Sequence, residues 1–64
     1  MADYTFESHG SLWLCRPSTD DARAWLDDHV GDEAQWFGGA LAVEPRYVVD
    51  LAAQLQNDGW TVGQ

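Results

Sequence analysis

Apolar and polar residues alternate at Tyr4-Thr5-Phe6-Glu7, the period-two pattern of a half-buried strand. Ser8-His9-Gly10-Ser11 is a turn, and Leu12-Trp13-Leu14-Cys15 reads as a second strand, which makes a hairpin. Pro17 lacks the N–H that a ladder needs and ends it. The period then lengthens. Ala22, Trp25, Leu26, His29 and Val30 form one helical stripe, with Ser18 or Thr19 as cap, Asp20 and Asp21 in the first turn and Gly31 as the stop. Arg23 is placed to pair with Asp20 or Asp27 on the wet side of this helix.

A third apolar run, Trp36 to Glu44, reads as a strand. Phe37, Gly39, Leu41 and Val43 share one face of it, and Trp36, Gly38, Ala40, Ala42 and Glu44 the other. The consecutive glycines weaken its beginning, so regular pairing is expected from Ala40 onward. Pro45 suits the first turn of a second helix, whose inward stripe is Val48, Leu51, Ala52 and Leu55, with Tyr47 or Ala53 beside it. Asn57-Asp58-Gly59 ends that helix, and Trp60-Thr61-Val62 is a short edge strand. The prediction is a single α+β domain over residues 1–64. Its element order is ββαβαβ, with two layers: a three- or four-stranded sheet and both helices packed on one face.

Composition narrows the function classes. A 64-residue chain hides only roughly 60% of the surface its unfolded form exposes, so the core is small. The single cysteine excludes an internal disulfide, and with His9 and His29 it does not complete a four-ligand zinc site. Four Trp, two Tyr and two Phe are therefore the main packing resource. Eleven acids stand against three arginines and no lysine, a formal net charge of −8. That balance argues against direct binding of nucleic acid or an anionic membrane, and favours solubility or a basic protein partner. No apolar run approaches the roughly 20 residues of a membrane span, and the first residues lack signal-peptide features, so a cytoplasmic protein is expected.

The candidate chemistry is sparse. Asp27-Asp28-His29-Val30-Gly31-Asp32-Glu33 is rich in carboxylates but lacks the register of a calcium loop. Acids at a helix C-terminus are unfavourable, so Asp27 and Asp28 cost stability there, and with Asp20, Asp21, Asp32 and Glu33 they make a candidate acidic patch for a basic partner. Cys15 lies in a strand with no elbow or helix N-terminus to activate it, and His29 has no partner at a telling spacing. No catalytic, metal-binding or cofactor-binding residue is assigned. If Tyr4, Phe6, Leu12, Leu14, Leu41 and Val43 point to the helices, Thr5, Glu7, Trp13, Cys15, Ala40 and Ala42 face away. Trp13 over Ala40 and Ala42 is then a candidate interface. Arg46 and Tyr47, both typical interface anchors, form a second contact point at the end of the third strand.

The central segment Trp36-Phe37-Gly38-Gly39-Ala40-Leu41-Ala42-Val43-Glu44-Pro45-Arg46-Tyr47 resembles that of small acidic uncharacterised proteins of bacteria and their phages. The general plan is similar too, with an aromatic hairpin around Gly10-Ser11, a helix containing Ala24-Trp25-Leu26 and a last helix ending in Asp58-Gly59. Pro45 departs from the histidine more usual in that group. The resemblance implies a bacterial or prophage setting and a non-enzymatic accessory role. The expected function is thus a protein-interaction module that binds a protein partner or a second copy of itself. The alternative is an acidic nucleic-acid mimic that inhibits a basic DNA-binding protein.

Overall fold

A computed structural model describes residues 2–31 and 34–63. Asp32 and Glu33, two of the acidic-patch candidates, lie outside the described residues. The elements run β1 (Tyr4–His9), β2 (Leu12–Pro17), α1 (Asp20–Val30), β3 (Trp36–Phe37), β4 (Ala40–Val43), α2 (Pro45–Asn57) and β5 (Val62–Gly63). The α+β class stands. The sheet, however, has five strands in the order β3-β4-β2-β1-β5, and the element order is ββαββαβ. The extra strand arises at Gly38-Gly39. Both glycines have positive φ (54° and 85°), the requirement of a two-residue type I′ hairpin turn, so the expected single strand folds back on itself there.

The two hairpins decide which side chains share a face. In β1–β2 the turn also has two residues, Gly10 and Ser11, so Phe6 pairs with Cys15 and Ser8 with Trp13. On β4, Leu41 pairs with Cys15, Val43 with Trp13, and Trp36 with Leu41. Trp13, Cys15 and Trp36 therefore lie on the face of Tyr4, Phe6, Leu41 and Val43, beneath the helices. The expected orientation of β2 is reversed: Leu12 and Leu14, not Trp13 and Cys15, point to the open side. Phe37 joins them there, because it pairs with Ala40 and not with the Leu41 face.

One core holds both layers together. Tyr4, Phe6, Cys15, Leu41 and Val43 from the sheet meet Ala22 and Leu26 of α1 and Leu51 and Leu55 of α2, all buried. Trp13, Trp25, Trp36 and Trp60 are half-buried around it, so all four tryptophans close the rim of one small core. Tyr4 spans the layers. Its ring meets that of Trp60 edge-on with centroids 5.5 Å apart, and its hydroxyl donates to the Ala22 carbonyl at 2.6 Å. Burial pushes the Tyr4 phenol up to about 12, with Cys15 and Asp3 adding to the shift.

Local sequence signals explain the ends. Thr19 caps α1, its hydroxyl accepting from the Ala22 amide at 3.1 Å, and Pro45 occupies the first turn of α2 as expected. At the other end of α2 the Trp60 amide donates to the Leu55 carbonyl and the Gly59 amide to that of Gln56. This is a Schellman motif, with Gly59 in the left-handed position at φ 92°. It turns the chain so that Val62 and Gly63 run parallel to Tyr4 and Thr5. Asp3 fastens that edge: its carboxylate accepts from the Thr61 amide and hydroxyl, and its amide donates to Thr61.

Candidate functional site

The sheet's open face is a continuous apolar stripe with a polar margin. Leu12 and Leu14 of β2, Ala40 and Ala42 of β4, and Phe37 of β3 make the stripe. Phe37 is 52% exposed, Leu12, Leu14 and Ala42 are half-buried, and Ala40 is fully buried. The margin is β1, with Thr5, Glu7 and His9 on the same side. Arg16 reaches from β2 to Glu7 at 3.2 Å, and the His9 ring lies 3.5 Å from the same carboxylate oxygen. Hydrogen bonds from Arg16 and then His9 hold the Glu7 carboxyl below the usual carboxylate range. Within the strands this face thus carries one acid and one arginine, paired with each other.

The helix layer is different in kind. Asp20, Asp21, Asp27 and Asp28 are exposed on α1, and among the described residues none of them has an ion-pair partner. The seven-residue spacing of Asp20 from Asp27, and of Asp21 from Asp28, puts each pair on one side of the helix, about 10 Å apart along its axis. Arg23 does not neutralise them as expected. Its guanidinium lies 4.6 Å from the Trp36 ring centroid, and in that position it shields a half-buried indole at the rim of the core. His29, expected on the inward stripe, is exposed and stacks on Trp25 with centroids 3.7 Å apart. Its Nδ1 donates to the Trp25 carbonyl at 2.8 Å. The indole N–H of Trp25 in turn donates to Asp58, tying α1 to the end of α2.

The expected interface residues separate into two groups. Trp13 does not cover Ala40 and Ala42, because it lies on the other side of the sheet. It lines a groove of about 520 Å³ with Phe6, Val48, Val49 and Ala52, on the side of α2. Ala42, Arg46 and Tyr47 do come together, in an open cleft of about 620 Å³ between the ends of α1 and β4 and the start of α2. In that cleft Arg46 is already paired, its Nε donating to Glu44 at 2.8 Å. Glu44 itself makes no side-chain bond to the amides of α2. Cys15 is fully buried, and burial pushes its thiol up to about 12, so it is an inert core residue at neutral pH.

No family model, curated protein or solved structure matches this chain. Among the described residues no group of three or more His, Cys, Asp and Glu side chains is arranged to hold a metal ion, and no helix is long and apolar enough to cross a membrane.

Leu12, Leu14 and Phe37 are the surface residues that hydrophobic patterning misses. Leu12-Trp13-Leu14-Cys15 is apolar throughout, so alternation cannot say which pair points inward. The usable signal is turn length. A two-residue loop at Gly10-Ser11 fixes the pairing of every residue before it with one after it, and a one-residue slip would exchange the two faces.

Proposed function

We propose that this domain acts by binding another protein through the open face of its sheet, and not by catalysis. The observation that carries this reading is the division of the molecule. Half-buried Leu12, Leu14 and Ala42 and exposed Phe37 form a stripe of net-neutral surface that no helix covers, while the unpaired aspartates stand on the helix side. A sheet face of this kind loses apolar area from water on docking and brings no uncompensated charge with it. The burial of Cys15 agrees with a non-catalytic role, since the chain's one thiol is out of a substrate's reach. A bacterial or prophage setting and a cytoplasmic location belong to the same reading and rest on the sequence alone.

Photo-crosslinking in a bacterial host tests it. A photoreactive phenylalanine at Phe37 should give a discrete crosslinked product, and the same group at Val49, on the outer side of α2, should give none. Absence of any product from Phe37 at physiological expression would overturn the reading.

A second reading is supported by the unpaired row of Asp20, Asp21, Asp27 and Asp28 on α1. Two pairs of carboxylates, about 100° apart around the outer side of α1, offer a basic DNA-binding protein a substitute for phosphates, and such a complex would weaken steeply with salt. Binding to a basic partner that is insensitive both to 0.5 M salt (~4 Å screening length) and to competing DNA would rule it out.

A further inference from the structure

The end of α2 holds a peptide bond that the chain's own groups can rearrange. Of the aspartates, only Asp58 is followed by a glycine. A glycine has no Cβ to shield its nitrogen, so at such a pair the nitrogen can reach the aspartate side chain. The Gly59 nitrogen attacks the side-chain carboxyl carbon of Asp58, and a C–N bond forms. The amide proton and the carboxyl hydroxyl leave together as water, which closes a five-membered imide. Water then opens the imide at either carbonyl. Opening at the backbone carbonyl routes the chain through the side chain and leaves a β-linked aspartate, with one more carbon in the backbone. Nothing is oxidised or reduced, and the mass of the chain is unchanged. Both residues are exposed and the space beside the Gly59 Cα is open, so water reaches them.

In the fold each group that must move is held. The Gly59 amide donates to the Gln56 carbonyl at 3.1 Å, which turns the nitrogen into the helix end. Ring closure swings that nitrogen behind the Asp58 side chain. Asp58 instead stands at φ −88° and ψ 4°, fixed by its own amide, which donates to the carbonyls of Gln54 and Leu55. The carboxyl is held from the other helix. Trp25 Nε1 donates to Asp58 Oδ2 at 2.9 Å, and the indole is itself fixed by the His29 ring stacked on it at 3.7 Å. The helix cap thus restrains the nucleophile, and a bond from α1 restrains the electrophile.

We propose that Asp58-Gly59 is a modification site, at which the chain isomerises to β-linked aspartate when the end of α2 opens, and that Trp25 keeps it closed. The proposal is independent of the protein-binding reading above. Its consequence is a one-way step. The bonds from Gly59 to Gln56 and from Trp60 to Leu55 both span Asp58, and an extra backbone carbon there takes them out of register. The turn that aligns Val62 and Gly63 with β1, and that seats Trp60 against Tyr4, is lost with them. A local opening that is otherwise reversible is then recorded in the covalent chain.

Ageing the full chain at 37 °C and pH 6 tests the proposal, once in buffer and once unfolded in 6 M guanidinium chloride. β-Linked aspartate is counted by isoaspartyl methyltransferase labelling and placed by electron-transfer fragmentation. The unfolded chain should isomerise at Asp58 at least about tenfold faster than the folded one, because both restraining bonds are gone. Trp25→Phe, checked for folding by circular dichroism, should isomerise in buffer about three- to tenfold faster than the wild type. If that variant does not fold, His29→Ala, which removes only the exposed ring stacked on the indole, should give a smaller rise in the same direction. A folded wild type that isomerises as fast as the unfolded chain, or an unfolded chain without β-linkage at Asp58, overturns the site. A wild-type rate in folded Trp25→Phe, or in His29→Ala where Trp25→Phe does not fold, overturns the role of Trp25.

Discussion

The two faces of the sheet are built from similar residues and meet different fates. On the covered face Tyr4, Phe6, Cys15, Leu41 and Val43 are closed over by Ala22, Leu26, Leu51 and Leu55. On the open face Leu12, Leu14, Phe37, Ala40 and Ala42 are comparably apolar, yet no helix lies above them. The lesson concerns the large rings. In a chain this short every tryptophan is drawn to the covered side, because a small core needs wide side chains to close its rim. The open face of the sheet is left to leucine, alanine and one phenylalanine. Its chemical signature is correspondingly weak.

The comparison can be broken most sharply by cutting matching side chains on the two faces. Leu26→Ala or Leu55→Ala, both fully buried, should lower the unfolding free energy by about 2–5 kcal/mol. That is a large share of the stability of so small a domain. Leu14→Ala on the open face should lower it by about 1 kcal/mol or less in dilute solution. Urea denaturation of the three variants at low micromolar concentration decides the matter. Equal losses at Leu14 and Leu26 would mean that the faces are not different in kind.

A smaller effect is expected from Tyr4→Phe. It keeps the ring and leaves the Ala22 carbonyl without its 2.6 Å donor, a loss of about 1–3 kcal/mol. The same measurement on Ser11→Ala, at the exposed hairpin turn, should show almost no change. If Tyr4→Phe is equally silent, the bond does not join the two layers.

The smallest effect sharpens the contrast through pH. Cys15 and Tyr4 hold their protons to about 12 in the folded chain, against ordinary values of 9.0 and 10.0. Between those values and about 12 the unfolded chain has released protons that the folded one keeps, so stability falls as pH rises. The contribution is complete below about pH 9 and is lost on the way to about 12. With no lysine in the sequence, amine titration along the chain does not obscure this window. Urea midpoints should be level from pH 7 to 8.5 and decline above pH 9, and Cys15→Ala should delay the onset of the decline toward pH 10. A midpoint that stays level through pH 11 would contradict the burial of both groups.

Much of the architecture was legible in particular residues. The stripe of Ala22, Leu26 and Val30, the Thr19 cap, Pro45 at the start of α2 and Gly59 at its end all act within a few residues of themselves, and each stands where the pattern places it. Local signals of this kind decide helices because the helical hydrogen bond spans only four residues. The second hairpin was less visible. Gly38-Gly39 reads as a weak stretch of strand until both residues are seen at positive φ, where they reverse the chain.

The site was legible only in part. Arg46 and Tyr47 stand exposed at the strand end and Ala42 lies on the open face, but Ala40 is fully buried, Trp13 lies on the opposite side from the one expected, and Leu12, Leu14 and Phe37 are not among the expected residues. The sequence by itself determined the class of the fold, the two helices with their ends and the excess of acid, since those depend on composition and on neighbours along the chain. Only the tertiary structure decided which side of β2 is buried and that Arg23 covers Trp36 instead of pairing with aspartate. It likewise decided that the acids and the apolar stripe lie on opposite layers. The reason is physical: in an all-apolar strand both faces are equally willing to be buried, and the choice falls to the turn and to the partner strand across the sheet.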